Sequence, residues 1–580
     1  MTPGPRRRHI AADACAALLL AGLPWVLYSG ALDLWWTEDD FFQLQYALGH
    51  APGEYAFDPD VWRRLPNRVL SPLLFVSYDL DLALFGLSTT AFYAHQLVSV
   101  GLAGAVLFLV LRLWLPVAWS FLGGSLFLLG PPIASLPPLL MVRHYPEAVV
   151  LGLLAVGAFV LATRRRGPTS ALLALASAFL YLAASTAKEI ALPLPALLAV
   201  LPAGGPRRRI LLLTPHAAVA SLYVVYRTWM LGTPFGGYGW AAPPGDWPGV
   251  LAALPAKLAR ELAGPSGWGW AALLVIALPV SGCLVRSPAV RALCATGLLV
   301  AWLPIAPVSI EIKPRLALAF WLLVAVAFAL ATRRLAAAGP GRGVVAFLVA
   351  FVCLAAFASN RSAWSQYLGQ AQRKSVENRG YLELGRGDFL RHPASSPPAM
   401  AELDKFARNV LGRPVEGGWF YDDLFLCRGP GAPGRAGKRP VVESLWTFDR
   451  QAMALTEITS RLPSLRRVHC ASTRRQAPLE ASFRALDGGI LLWSLGPRHD
   501  GRYAFVMAAG RLRYDVPREG GFRLGARDGL TLRVRYEAPS GWVTYSPRLS
   551  VDLEPGSSSV WRRRKGDGPP DRSAEPAADS

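Results

Sequence analysis

The chain has 580 residues, 53% of them hydrophobic, and its 60 Lys and Arg outnumber 39 Asp and Glu for a formal net charge of +21. Apolar runs fill residues 1–360 and are long enough to cross a bilayer, which takes about 20 apolar residues each, so a soluble reading is excluded. The arginines stand in short clusters between those runs rather than along one continuous face, which argues against nucleic acid as a partner and makes most of them topology signals.

In chain order the candidate spans are 10–30, 91–112, 115–135, 145–163, 169–186, 189–203, 209–228, 269–285, 290–307, 315–332 and 343–359. They predict a multi-pass α-helical membrane domain over residues 1–360, with about eleven crossings. The first run follows Arg6, Arg7 and Arg8 but lacks a small-residue cleavage site, so it reads as a helix rather than a signal peptide. With a cytoplasmic amino terminus, Arg6 to Arg8, Arg112, Arg164 to Arg166, Arg207 to Arg209, Arg286 with Arg291, and Arg333, Arg334 and Arg342 all fall inside. Loops 32–90 and 231–268 and everything after Asn360 then lie outside and must build any outward-facing site. An Arg-rich, Lys-poor, Ala-rich composition points to a bacterial plasma (inner) membrane with a periplasmic carboxyl-terminal domain; in a eukaryote that domain would lie in the endoplasmic reticulum lumen.

Within the first outer loop, residues 66–86 are apolar on one side, yet Arg68, Asp79 and Asp81 make a crossing costly, at about 2.5–3.5 kcal/mol per central charge. This suits a helix lying on the membrane surface. The loop 231–268 is rich in Gly, Pro and Trp, which favours turns and interfacial anchoring over long helices. Beyond Asn360, stretches near 362–384 and 398–411 read as helices of a connector over 361–415. A β-rich domain is expected over 416–555, ending in a small antiparallel sandwich over 480–553, and 556–580 is expected to be a disordered tail.

The sharpest constellation is WWTEDDFFQLQY at 35–46, where Glu38, Asp39 and Asp40 stand between aromatic pairs. One reading is an interfacial cluster, with the aromatics as belt anchors and the acids solvated. The other is a desolvated general base that takes a proton from an acceptor as it attacks a sugar. A sugar joined to lipid phosphate departs without being protonated, so one base and cations to hold the phosphate suffice. Cations stand at the outer ends of apolar runs: Arg143 and His144 in MVRHYPEAVV, Lys188 in ASTAKEIALPLP, Lys313 and Arg315 in IEIKPRLALAFW. Snorkelling to the interface, or a local pair of Lys188 with Glu189, explains each singly.

The acidic pair, RLPNRVLSPLLFVSYDLDLALFGLSTTAFYAHQLVSV at 64–100, RHYPEAVV at 143–150 and STAKEIALPLP at 185–195 occur in that order. Together, over about residues 10–335, they resemble the GT-C superfamily of membrane glycosyltransferases, particularly the branch of protein O-mannosyltransferases and the tetratricopeptide-bearing transmembrane O-mannosyltransferases. The resemblance implies a hexosyl- or mannosyl-type transfer on the outer face, from a polyprenyl-phosphate-linked sugar donor to a protein, lipid or glycan acceptor. It implies Asp39 or Asp40 as base, Arg143, His144, Lys188 and Arg315 near the donor phosphate, and Glu147, Glu189 and Arg68 in support. Pro66 precedes Arg68, KPRLALAF replaces the family's Arg-Tyr-rich segment, and no tetratricopeptide repeat follows Asn360.

No P-loop, Rossmann fingerprint, zinc-ligand spacing or HExxH motif occurs, so no cofactor is expected; the acidic residues leave a divalent metal open. Trp419, Tyr421, Trp446, Trp493 and Trp542 either stack on sugar rings or fill the β-domain core, and their apolar alternation favours core. Asp422 and Asp423 read as turn formers, and Cys427 and Cys470 are the exported cysteines that an oxidising compartment permits to pair. A transporter or flippase of lipid-linked saccharides and a non-enzymatic envelope scaffold are the rival functions.

Overall fold

The computed structural model describes residues 5–37, 39–63, 69–234, 247–286, 288–303, 313–339, 341–384, 388–390, 397–413, 419–420, 422–427, 444–449, 451–486, 490–507, 512–523 and 529–564. Its helices are α1 Pro5–Leu27, α2 Asp40–Gly49, α3 Pro52–Phe57, α4 Pro59–Arg63, α5 Pro72–Phe85, α6 Thr89–Leu111, α7 Val117–Leu128, α8 Pro131–Ala134, α9 His144–Arg164 and α10 Pro168–Ala187. They continue as α11 Leu194–Val200, α12 Pro206–Leu231, α13 Trp247–Ala263, α14 Gly267–Arg286, α15 Pro288–Trp302, α16 Leu318–Ala337, α17 Arg342–Leu384, α18 Pro397–Asn409 and α19 Leu462–Ser472. The chain divides into two compact units, Met1–Trp36 with Tyr46–Gln372, and Thr37–Gln45 with Arg373–Ser580.

Among the described residues seven helices are long and apolar enough to cross a membrane, and an eighth span is added if Ala252–Ala263 and Gly267–Gly282, bent by 108°, count as one. The shorter apolar helices Val117–Leu128, Glu189–Val200 and Arg291–Trp302 coincide with the predicted runs 115–135, 189–203 and 290–307. The expected runs are therefore helical over most of their described residues, but 115–135 and 189–203 are cut short. Gly130, Pro131 and Pro132 follow α7, and Pro193, Pro195 and Pro202 bracket α11, where missing N–H donors stop the ladder. The chain is thus a multi-pass α-helical membrane protein carrying a carboxyl-terminal β-sheet domain.

Two segments depart from expectation. α13 is a 17-residue helix inside the loop expected to favour turns, because PGVLAALPAKLARELA is rich in the helix formers Ala and Leu. α17 runs unbroken for 43 residues, joining the last predicted span to the first expected connector helix, since no Gly or Pro interrupts ASNRSAWSQ.

In the helical unit α6 packs on α1, α7 and α9, α10 on α9 and α12, and α16 on α7 and α14. Small residues bring α6 close to α1: a Cβ on Gly101 of α6 would run into the Ala21 backbone of α1. The orphan carbonyls at the broken end of α7 are all claimed. Trp321 Nε1 donates to Leu126 O at 3.0 Å and Phe127 O at 3.1 Å, and the Tyr28 hydroxyl donates to Leu128 O at 3.1 Å. Asn360 Nδ2 donates to the Tyr28 hydroxyl at 2.7 Å and to Gly130 O at 2.8 Å.

The second unit holds three sheets. The first runs β2 (Trp419–Phe420), β1 (Asp388–Leu390), β3 (Leu445–Asp449), β4 (Ala454–Glu457), with β1 parallel to both neighbours. The other two sheets run β11 (Val543–Tyr545), β10 (Leu530–Glu537), β7 (Arg502–Met507), β8 (Leu512–Val516), with β12 (Leu549–Val551) also on β10, and β13 (Ser558–Arg563), β5 (Leu479–Leu486), β6 (Ile490–Gly496), β9 (Glu519–Arg523). A core of Leu479, Phe483, Leu491, Trp493, Phe505 and Val534, with partly buried Trp542 against it, realises the expected sandwich. Trp493 and Trp542 are thus core residues, while Tyr421 and the side chains of Trp419 and Cys427 lie outside the described residues.

The expected disordered tail begins too early at 556. Ser558–Arg563 alternate in exposure and pair with β5 from Ser558↔Arg484 to Arg563↔Leu479, closing that sheet. Asp422 does form its turn, accepting from Leu424 N at 2.9 Å, but it also sits 3.2 Å from Arg535 Nε and accepts from the Tyr545 hydroxyl at 2.8 Å.

Candidate active site

Helix direction sorts the charged residues of the helical unit to two ends. The arginines Arg112, Arg164 and Arg333 stand at the carboxyl ends of α6, α9 and α16. At the opposite end of α9 and α16 stand Arg143 and His144, before and at the start of α9, and Arg315 ahead of α16, while Lys188 caps the carboxyl end of α10.

Arg143 is fully buried, and its charge is met from α5. Its Nη1 lies 2.5 Å from Asp81 Oδ2, its Nη2 donates to Phe92 O at 3.0 Å, and its guanidinium stacks 4.7 Å from the Tyr78 ring centroid and 5.1 Å from that of Phe92. Asp81 Oδ1 takes His95 Nδ1 at 2.7 Å, and His95 Nε2 is 4.0 Å from Glu147 Oε1, which also accepts from Ser77 Oγ at 2.6 Å. The result is a connected polar chain, Arg143, Asp81, His95, Glu147, drawn from α5, α6 and α9. Trp36, three residues before Asp39, packs edge-on against Phe92 with centroids 4.9 Å apart, and Trp35 O accepts from the Tyr93 hydroxyl at 3.3 Å.

His144 is buried, and the positive charges of Lys188 and Arg315 both act on it, so three of the predicted phosphate ligands share one locality. Buried Lys188 lies over the Tyr145 ring at 5.1 Å from its centroid. Glu189 pairs with Arg227, whose Nε is 2.6 Å from Glu189 Oε1. His144 Nδ1, Arg143 Nε and Glu147 Oε2 are buried without a hydrogen-bond partner among the described residues, the condition in which a polar atom awaits water or ligand.

Asp39 and Asp40 belong to Thr37–Gln45, grouped with the second unit. Asp40 is buried and opens α2, its Oδ2 accepting from Thr37 N at 2.8 Å as a capping carboxylate does, whereas Asp39 is exposed. In the same unit Phe41 packs on Phe406 at 5.5 Å between centroids and Gln45 Nε2 donates to Glu402 O at 3.1 Å. Glu38 and Arg68 lie outside the described residues. Lys313 is exposed.

Sequence reasoning missed Asp81, His95 and Ser77. The usable signal was a pair of carboxylates in an otherwise apolar helix, which demands a partner cation. Asp79, on the same helix, has no partner cation among the described residues: its Oδ2 is buried without a hydrogen bond, and desolvation pushes its carboxyl up to about 6.

No protein-family model matches the chain, and no curated protein matches it. Among solved structures it aligns with crystal structures of ArnT from Cupriavidus metallidurans. The form bound to undecaprenyl phosphate is 13% identical over 70% of this chain and 89% of that chain, with a TM-score of 0.38. The apo form is 13% identical over 80% of this chain and 95% of that chain, with a TM-score of 0.39.

Proposed function

We propose that the protein is an integral-membrane glycosyltransferase of GT-C type that transfers a sugar from a polyprenyl-phosphate donor to an acceptor on the extracytoplasmic face of a bacterial inner membrane. The single observation that carries this reading is the locality shared by His144, Lys188 and Arg315, with orphaned polar atoms beside it. Three cationic or polar groups converging at one end of an apolar bundle suit a lipid-borne phosphate, which charge-assisted hydrogen bonds hold strongly.

In the proposed reaction Asp39 or Asp40 takes the acceptor proton, the freed oxygen or nitrogen attacks the anomeric carbon with inversion, and the bond to the phosphate oxygen breaks. Lys188 and Arg315 stabilise the charge that collects on the departing phosphate, with His144 as a third ligand. Arg143 is already neutralised by Asp81, so its part is to position the start of α9 and hence His144, with Glu147 bracing it through Ser77 and His95. Glu189 keeps Arg227 in place beside Lys188. Asp39, being exposed, is the better placed of the two carboxylates to meet an acceptor; the resemblance to O-mannosyltransferases names a hexose as the transferred group.

The test is transfer from radiolabelled polyprenyl-phosphate sugars to envelope acceptors by the purified protein in lipid. Asp39→Asn or Asp40→Asn should lower turnover by about 10²- to 10⁴-fold with the helical melt unchanged. No donor consumption by the wild type, or full activity in both variants and the double replacement, would overturn the reading; in the first case translocation of the lipid-linked saccharide in proteoliposomes would establish a transporter instead.

A further inference from the structure

The end of the helical unit remote from the candidate active site is also built for a ligand. Its centre is the short connection from α6 to α7, residues Arg112–Pro116. Arg164 Nη2, from the end of α9, donates to Leu113 O at 2.7 Å, and Arg333 Nη1, from the end of α16, donates to Trp114 O at 2.8 Å. Arg112 itself bonds Leu115 O, and its Nε is held 2.6 Å from Asp13 of α1. The Arg164 guanidinium lies 5.8 Å from the Trp114 ring centroid, and the indole Nε1 donates to Pro202 O at 3.3 Å. Arg208, from the start of α12, reaches across to Ser170 Oγ at 3.1 Å and Ala162 O at 3.3 Å.

Arginines from α9 and α16 thus meet at Trp114, with Arg112 beside them in the same connection and Arg208 of α12 bridging the ends of α9 and α10. Asp13 is engaged with Arg112, and no carboxylate lies within ion-pair distance of Arg164 or Arg333 among the described residues. Each of these two exposed guanidiniums spends a donor on a fixed backbone carbonyl, which sets its plane, and keeps most of its five N–H groups for another acceptor. One helical turn before Arg112 and Arg164 and one turn after Arg208, on i, i+3 neighbours, stand the exposed apolar side chains Leu109, Leu161 and Leu211. A cationic fork beside apolar helix surface is complementary to a molecule with an anionic head and an apolar tail; a free anion would use only half of it.

We infer that the Arg164–Trp114–Arg333 cluster is a binding site for the phosphate headgroup of an anionic phospholipid, its acyl chains lying along α6, α9 and α12. The guanidiniums take the phosphodiester oxygens in planar two-point hydrogen bonds, and Trp114 anchors the headgroup layer. The site is independent of the transferase reading, because none of its residues belongs to the proposed catalytic end.

The full-length protein, purified in a zwitterionic detergent and offered equal phosphatidylglycerol and phosphatidylcholine, would be examined by native mass spectrometry. Wild type should retain phosphatidylglycerol preferentially. Arg164→Gln with Arg333→Gln should lower that preference by about 30-fold, taking the usual surface contribution of two basic residues, while phosphatidylcholine adducts stay unchanged. Arg164→Lys with Arg333→Lys, which keeps the charge but not the planar fork and guards against misfolding of the Gln pair, should fall between wild type and the Gln pair. Equal retention of both lipids by wild type, undiminished preference in the Gln pair, or a thermal shift by inorganic phosphate equal to that by phosphatidylglycerol would overturn the inference.

Discussion

Replacing Asp81 by Asn tests whether the buried charges of the helical unit are held by one another. Arg143 has no exposed surface and Asp81 is 1% exposed, so neither charge is met by bulk solvent in the folded state. At 2.5 Å their contact is the strongest link in the chain through His95 to Glu147. Removing one member of such a pair strands the other, at about 3–5 kcal/mol. Phe92 O still accepts from Nη2 and Glu147 still acts electrostatically on Arg143, which places the expectation for Asp81→Asn at the lower end, about 3 kcal/mol. Replacing both, as Arg143→Met with Asp81→Leu, removes two desolvation costs together and should return stability to within about 1 kcal/mol of wild type. Denaturant unfolding in mixed micelles, followed by the helical circular dichroism signal, supplies the full double-mutant cycle. An Asp81→Asn variant within about 0.5 kcal/mol of wild type, or strictly additive single changes, would refute the pairing.

Two further outcomes are expected. The Asp79 carboxyl titrates near 6 because burial disfavours its charge, so the folded state binds its proton more tightly than the unfolded chain and loses stability as pH rises from about 4 to about 6. Asp79→Asn should therefore match wild type in thermal melts at pH 4 and exceed it at pH 7; a variant less stable at pH 7 would contradict the assignment. At the α1–α6 crossing, Gly101→Val should lower unfolding stability by about 1–3 kcal/mol or more, because the new side chain meets the Ala21 backbone, which cannot rotate away. Gly152, with open space where its Cβ would stand, is the matched control whose replacement by Ala should cost nothing.

Local signals were legible in the sequence and long-range ones were not. The apolar runs became helices because hydropathy and length are properties of the run itself, whereas the shortening of α7 and α11 depended on how Gly130 and the prolines act at helix ends. The strands β6, β7, β8, β10 and β12 stood out by alternation, while β9, with Gly520 and Gly521, carries little side-chain pattern, and β13 looked like tail because its residues are mostly Ser and Arg. Lys188, His144 and Arg315 were recognisable as basic residues at helix ends, and the charges of Lys188 and Arg315 both act on His144. What could not be read was which carboxylate satisfies which cation: Arg143 and Asp81 are separated by 62 residues, and Arg227 and Glu189 by 38.

The bond from Asn360 to Tyr28 closes a separation of 332 residues, and Gly130 at the stump of α7 shares the same donor. α1 is therefore tied down in two stages, by Leu128 O 100 residues downstream and by the α17 amide 332 residues downstream. At ordinary rates of synthesis the ribosome needs on the order of 20–60 s to travel the longer distance. Through that interval the Tyr28 hydroxyl can already donate to Leu128 O, while Gly130 O still lacks the Asn360 amide. Truncations that stop short of Asn360 should therefore leave the α1–α7 contact without its bond from α17 and expose the bundle to membrane quality control.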